Sequence, residues 1–463
     1  MSSLDHLSRE DAEILALERG AVAGHTVKVF LLDRSPDVPP LTLPRLRARV
    51  GARLDRLPRA RQRLAPTPLG LASPVWVDDD AFDLDRHVRR APTRGTVSDA
   101  RLSALIGEAM SGRLPRDRPL WDLQLVGPLP GRRVAVLARF HHAWLDGLAS
   151  LNAVRALLYD EPGDDGAASD GWRPVPGPGT AELVASAVRQ RVGVLAGAAG
   201  ALARTAVSPD RWRLGAQELG RLPGAVGREL LPSSVRSPFA GSIGRRRTMA
   251  WTSAPLADYK AVEHVAGEHT TVNDVVLAVV AGGLRTWLGH AARDRPLRCK
   301  VPVSLHRRDE GPDVGNRDSF MIVDLPVGDR DPWARLRAIH RQTAERKRHH
   351  DAETLDALFG DLALVAPPLE RLLSRVTRSS REFVVSVSNI PGPREPVAIL
   401  GARLAELMVF GEIALDHAVR VSAVSLCGVL AIGLCGDPEV VPDLDGLATA
   451  MGDALAELRA HAP

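Results

Sequence analysis

The stretch Val134-Ala-Val-Leu-Ala-Arg-Phe-His141-His142-Ala-Trp-Leu-Asp146-Gly147-Leu-Ala-Ser-Leu151 changes its period in the middle. Up to Phe140 it is an almost unbroken apolar run, as in a buried strand. After His142, Leu148, Leu151, Val154 and Leu158 recur on one face of a helix. A strand therefore ends at a histidine pair, and a helix begins at Asp146-Gly147. In α/β architectures such strand ends carry reactive side chains on a rigid support. Adjacent histidines in extended backbone project to opposite sides, so only one faces a given cleft.

A neutral imidazole can take the proton of an incoming alcohol when its second nitrogen is held by a fixed partner. Asp146, four residues after His142, has three readings at this stage. It orients the His142 ring directly, it pairs with an arginine while a backbone carbonyl holds the ring, or it caps the helix at Leu148. A metal reading of His-x-x-x-Asp lacks a third ligand at supporting spacing, so no metal is expected. Gly147 permits a close approach or an unusual backbone angle beside the pair.

Outward from this stretch, Thr26-Val-Lys-Val-Phe-Leu-Leu-Asp33 reads as a strand, Val97 to Met110 as a helix and Leu120 to Leu125 as a strand. Residues 161–180 are polar and studded with proline and glycine, the best linker in the chain. Ala-rich helical sequence follows to about Val207, then an irregular region from about Leu222 to Arg247. A second α/β unit begins near Thr248. There Thr271-Val-Asn273-Asp274 has capping-box form ahead of an apolar helix, Val275 to Leu288. Strands are expected at Cys299–Ser304, Phe320–Pro326, Phe383–Val387 and twice within 420–434. Helices are expected at Pro332–Arg348 and about Leu444 to Ala460. The fold class is α/β (α+β): residues 1–160 form one unit, 161–247 a linker with a helical segment, and 248–463 a second unit.

The 463 residues suit two to three domains at ~100–200 residues each. Hydrophobic content of 45% and charged content of 25% are those of a globular protein. Cys299, Cys427 and Cys435 are scattered and odd in number, which points to a reducing compartment. Met-Ser-Ser-Leu-Asp-His lacks the basic and apolar regions of a signal peptide, and no run reaches the ~18–20 apolar residues of a spanning helix. A cytoplasmic location follows as the expectation. Net charge is +4 and only four of the basic residues are lysines: Lys28, Lys260, Lys300 and Lys347. Between Arg45 and Arg63 the arginines alternate with Leu43, Leu46, Val50, Leu54 and Leu57 at helical spacing. This reads as a surface helix with its arginines in solvent, ahead of a helix lying on an anionic membrane. Aromatics at 4% and the lack of a recognition motif argue against nucleic acid.

His141-His142-x-x-x-Asp146-Gly147 resembles the signature of the bacterial wax ester synthase/diacylglycerol acyltransferase family, among the coenzyme A-dependent acyltransferases. Further blocks resemble the family in the same order: Trp76…Phe82…His87-Val88, Pro119-Leu120-Trp121, Asn273-Asp274, and Pro302-Val-Ser304 with Gly315-Asn316-Arg317 and Leu325-Pro326. The last is Ser388-Asn389-Ile390-Pro391-Gly392-Pro393. The resemblance spans nearly the full chain.

It implies two chloramphenicol-acetyltransferase-like domains, each a mixed sheet with helices, with the site between them. It implies acyl-CoA as co-substrate with no other cofactor, and a hydroxyl lipid, diacylglycerol or long-chain alcohol, as acceptor. Peripheral attachment to the inner membrane face or to lipid inclusions is implied as well. On this reading His142 is the base and His141 its support, while Asn273, at a helix start, is either the donor to the charge that develops on the thioester carbonyl or a helix cap. Asp274 is a capping residue. Pro119, Leu120 and Trp121 support the motif strand, and Asn389 to Pro393, after Ser388, form a rigid turn; both blocks read as scaffold first and substrate channel second. Three blocks depart from the family pattern and bear on acceptor and chain length: Gly24-His25, Phe239-Ala-Gly-Ser-Ile-Gly244 and Ser425-Leu-Cys-Gly428. Two other functions fit the same fold: condensation with a carrier-bound or natural-product acceptor, and a catalytically silent coat on lipid inclusions.

Overall fold

The structure is a computed structural model that describes residues 4–18, 20–161, 171–207, 239, 241–267, 269–289, 296–304, 318–349, 384–414 and 417–461. Its strands are β1 (His25–Asp33), β2 (Gln62–Ala65), β3 (Val75–Asp78), β4 (Val88–Arg90), β5 (Trp121–Leu129), β6 (Arg133–His141), β7 (Thr248–Pro255), β8 (Leu297–Ser304), β9 (Asp318–Leu325), β10 (Val385–Ile390), β11 (Ala398–Ile399), β12 (Ala402–Phe410), β13 (Val419–Leu426) and β14 (Val429–Gly436). Its helices are α1 (Arg9–Leu17), α2 (Leu43–Gly51), α3 (Leu84–His87), α4 (Asp99–Ser111), α5 (Gly147–Leu158), α6 (Thr180–Val207), α7 (Leu256–Ala266), α8 (Val272–Leu288), α9 (Pro332–His349) and α10 (Leu444–Ala460).

Two mixed six-stranded sheets organise the molecule, in the orders β11-β12-β1-β6-β5-β4 and β7-β14-β13-β10-β8-β9. The α/β reading of the sequence holds, with one addition that it did not contain. β12 lies antiparallel to β1, with Val27 opposite Phe410 and Asp33 opposite Arg403. A cut at residue 248 therefore leaves two strands of the first sheet in the second segment. After Phe410 the chain passes through Gly411–Ala418 and enters β13 of the other sheet.

A buried ion pair clips this crossing. Arg247 Nε lies 2.8 Å from Glu412 Oε1, and its Nη2 donates to the Ala21 carbonyl at 2.7 Å. Glu412 Oε2 accepts from the Ala23 amide at 3.2 Å. The lead into β1, the lead into β7 and the exit from β12 thus meet at one guanidinium. Both partners are buried, so removing either leaves the other's charge uncompensated.

The arginine-rich stretch differs from its expected form. Only Leu43–Gly51 is α-helical; two short 3₁₀ turns and β2 follow. Pro58 drives Leu57 out of helical geometry, to φ −141°, ψ 70°. Several arginines turn inward rather than standing in solvent. Arg53 is buried and donates to the Tyr159 carbonyl at 2.6 Å, Arg47 donates to the Val88 carbonyl at 2.9 Å, and Arg49 pairs with Asp160 at 3.0 Å. The remaining expected elements are present within a few residues, and β10 runs Val385–Ile390. Gly315-Asn316-Arg317, Phe383, residues 162–170 of the linker and residues 222–238 of the irregular region lie outside the described residues. Among the described residues no helix is long and apolar enough to cross a membrane.

Candidate active site

β6 delivers the histidine pair. Its register with β1 sets His25 opposite His141, Thr26 opposite Phe140 and Lys28 opposite Ala138. Opposed residues share a face, so His25 and His141 lie on one side of the sheet. Thr26, Lys28 and Phe140 lie on the other, where alternation also sends His142.

His141 is locked at both ring nitrogens. Its Nδ1 accepts the Ala143 amide at 3.0 Å, which leaves the proton on Nε2 to donate to Glu18 Oε2 at 3.3 Å. Glu18 is buried and is also gripped by Arg116, with Arg113 at 3.5 Å. Burial would raise the Glu18 pKa, but the hydrogen bonds from His141 and Arg116 outweigh it and hold the carboxyl below its usual range. The backbone is pinned as well: the His141 amide donates to the Leu120 carbonyl at 3.0 Å, and the His142 amide to the Gly24 carbonyl at 2.9 Å. Gly24 has φ +71°, and a Cβ there would sit 2.8 Å from His141 Nε2. This packing of His141 leaves no room for a side chain at 24.

Pro119, Leu120 and Trp121 form the shelf under this turn. Leu120 and Trp121 are buried, and the Trp121 indole N–H donates to the Ala60 carbonyl at 2.8 Å. His87 stacks on Trp121 at 4.7 Å and on Phe82 at 5.3 Å, and donates from Nδ1 to the Trp121 carbonyl at 2.8 Å. The blocks around Phe82, His87 and Trp121 are therefore one aromatic stack beneath the motif.

His142 stands in a different field. Its pKa is pushed down to about 4, first by burial and then by the Arg420 and Lys28 charges; Asp146 opposes the shift. The ring is a neutral imidazole at pH 7, the form that accepts a proton. Asp146 does cap the helix: it is the N-cap of α5, its Oδ1 accepting the Ala149 amide at 2.7 Å. Its charge reaches both His142 and Lys28. A Cβ on Gly147 would lie 2.6 Å from Ile390 Cδ1, so Gly147 serves close approach. There the second sheet touches the motif turn.

Asn273 lies in the first turn of α8, half-buried. Asp274 completes the capping box with Thr271 and is fully buried. Its carboxylate accepts Thr343 Oγ1 at 2.7 Å and faces His340 Nδ1 at 3.2 Å, tying α8 to α9. Asn389 and Val272 line a cavity of about 530 Å³ together with Pro391, Arg394, Ser425 and Cys427. His142 is not among its lining residues. Ile390, between the lining residues Asn389 and Pro391, packs against Gly147 of the motif turn. Ser388 Oγ donates across to Ser422 Oγ at 3.3 Å. The departing block Ser425–Gly428 forms part of the cavity wall.

Sequence reasoning missed Lys28, Arg420 and Glu18. Lys28 carried a usable signal, because a lysine inside a continuous apolar strand is rarely buried without purpose. Arg420 and Glu18 are remote in the chain and carried none.

A wax ester synthase/diacylglycerol acyltransferase catalytic domain matches residues 7–276, and the corresponding C-terminal domain matches residues 314–459. A Mycobacterium tuberculosis protein that bears a diacylglycerol O-acyltransferase name is 33% identical over 474 residues, covering 98% of each chain. Another from the same organism, with the same kind of name, is 33% identical over 419 residues, covering 88% of this chain and 86% of its own. Among solved structures, the wax ester synthase/diacylglycerol acyltransferase from Marinobacter aquaeolei VT8 matches with a TM-score of 0.69. It is 23% identical and covers 99% of this chain and 100% of its own. The first condensation domain of the CDA synthetase shares the fold at a TM-score of 0.60 and 17% identity, over 100% of this chain and 98% of its own.

Proposed function

The chain belongs to the wax ester synthase/diacylglycerol acyltransferase family and is an acyltransferase; we propose that it joins the acyl group of acyl-CoA to the hydroxyl of diacylglycerol or a long-chain alcohol. The observation that carries this reading is the unequal treatment of the two histidines. One is tied at both nitrogens, and the other is held neutral on the opposite face of the sheet.

In the proposed reaction the acceptor hydroxyl gives its proton to His142 as its oxygen attacks the thioester carbonyl. The carbonyl electrons move onto oxygen, where the Asn273 amide and the positive end of α8 stabilise them. Collapse of this intermediate breaks the carbon–sulfur bond. The leaving thiolate recovers the proton from the His142 imidazolium, so ester and free CoA thiol form without a covalent enzyme intermediate. Asp146, whose charge favours the protonated ring, supports the imidazolium between these steps.

The test is release of free CoA thiol from long-chain acyl-CoA, measured against a panel of diacylglycerols, fatty alcohols and amines. Turnover with the hydroxyl lipids is expected. Turnover confined to amines or carrier-bound acceptors would replace the acceptor reading, and none with any thioester would favour a coat function on lipid inclusions.

A further inference from the structure

Lys28 is fully buried in the middle of β1, a strand whose Val27, Val29, Phe30, Leu31 and Leu32 are buried as well. An apolar residue would cost far less there, since burying an ammonium requires compensating partners. The partners are identifiable element by element. On β1 the amine donates to Thr26 Oγ1. β6 presents Ala138 opposite it and the Phe140 ring, whose centroid lies 5.7 Å from Nζ. β12 presents Val409 opposite it. The charged groups that act on it are Asp146 at the head of α5 and Arg420 of β13. Arg420 itself donates from Nη1 to the Glu412 carbonyl at 3.4 Å, at the crossing between the sheets. Two cations, Lys28 and Arg420, and one carboxylate, Asp146, therefore act on His142, the cations lowering its proton affinity and Asp146 raising it.

We propose that Lys28 is a positioning residue for the reaction, its buried ammonium setting the electrostatic field in which His142 takes and returns the proton. The inference rests on His142 as the base. Before attack, the Lys28 charge helps keep a stray proton off the ring, so that it stands ready for the acceptor's. During attack, the same charge favours the negative charge growing on the thioester oxygen. The amine is itself tuned: burial first, with Arg420 adding, lowers it to about 7 although Asp146 raises it. Lys28 is thus charged in mildly acidic solution, where the imidazole most needs protection.

The sign of the effect is fixed. Lys28 lowers the proton affinity of His142, so loss of its charge must raise it and narrow the active pH range from the acid side. The experiment is an NMR titration of the ¹³C-histidine-labelled full chain and of Lys28→Met, a substitution that keeps an unbranched chain. The His142 resonance is identified by its loss in His142→Ala. In Lys28→Met its titration is expected to move up from about 4 by about one pH unit, the low end for a nearby like charge. The acid limb of kcat/KM for CoA release is expected to move with it. Lys28→Arg, which keeps the charge, is expected to titrate as the wild type. Should thermal unfolding show that Lys28→Met does not fold, Lys28→Gln takes its place. An unmoved His142 titration in the neutral variant overturns the role of Lys28. A moved titration with an unmoved acid limb instead overturns His142 as the base.

Discussion

The two faces of the first sheet differ at the histidine pair, although the same two residues of β6 and its turn furnish both. On the His141 face the ring and its glutamate both have fixed partners: Ala143 N–H and Glu18 for the ring, Arg116 and Arg113 for the glutamate. On the His142 face charges act on the ring, with Lys28 and Arg420 opposing Asp146. The first arrangement fixes geometry and the second fixes a protonation state. A consecutive pair on an extended strand provides both within 3.8 Å of backbone, which a single histidine would have to combine.

The contrast breaks most severely at the ring itself. His142→Ala is expected to lower kcat for CoA release by roughly a hundredfold or more, the size of positioned base catalysis, with thermal unfolding unchanged. Equal turnover in the folded variant would remove the base from this face. On the clamped face, Glu18→Ala strands His141 and two arginines. It is expected to cost about 2 kcal/mol in chemical denaturation, as for a hydrogen-bonded charged group. Its loss of kcat should be smaller than that of His142→Ala. A larger kinetic loss than His142→Ala gives would reverse the assignment of the two faces. The smallest effect sharpens the picture at Asp146, which serves both cap and field. Asp146→Ala is expected to lose about 1 kcal/mol of stability through the cap. Asp146→Ser should restore that stability without restoring kcat; recovery of both would reduce Asp146 to a cap.

Much of this was legible in the chain. The change of period at His141-His142 located the strand-to-helix turn, and Thr271 to Asp274 announced a capping box that the structure contains. Such features depend on neighbours in sequence. What escaped depends on distant pairing. β12 looked unremarkable because Ala402-Arg-Leu-Ala-Glu mixes exposed and buried positions before its apolar end, and only its register with β1 gives it a place. The arginine stretch misled for a related reason: the carbonyls that draw Arg47 and Arg53 inward belong to β4 and to the residue after α5. Lys28 was visible as an oddity, yet its meaning required Arg420, nearly the whole chain away.

The return of β12 to the first sheet has a consequence for synthesis in the cell. A nascent chain emerging from the ribosome presents β1, β6 and β5 long before Phe410 has been made, and until then β1 keeps an unpaired apolar edge. Such an edge invites pairing with other chains. The protein is therefore expected to depend on chaperone shelter late into translation. The half that bears the histidine pair, expressed by itself, should aggregate rather than fold.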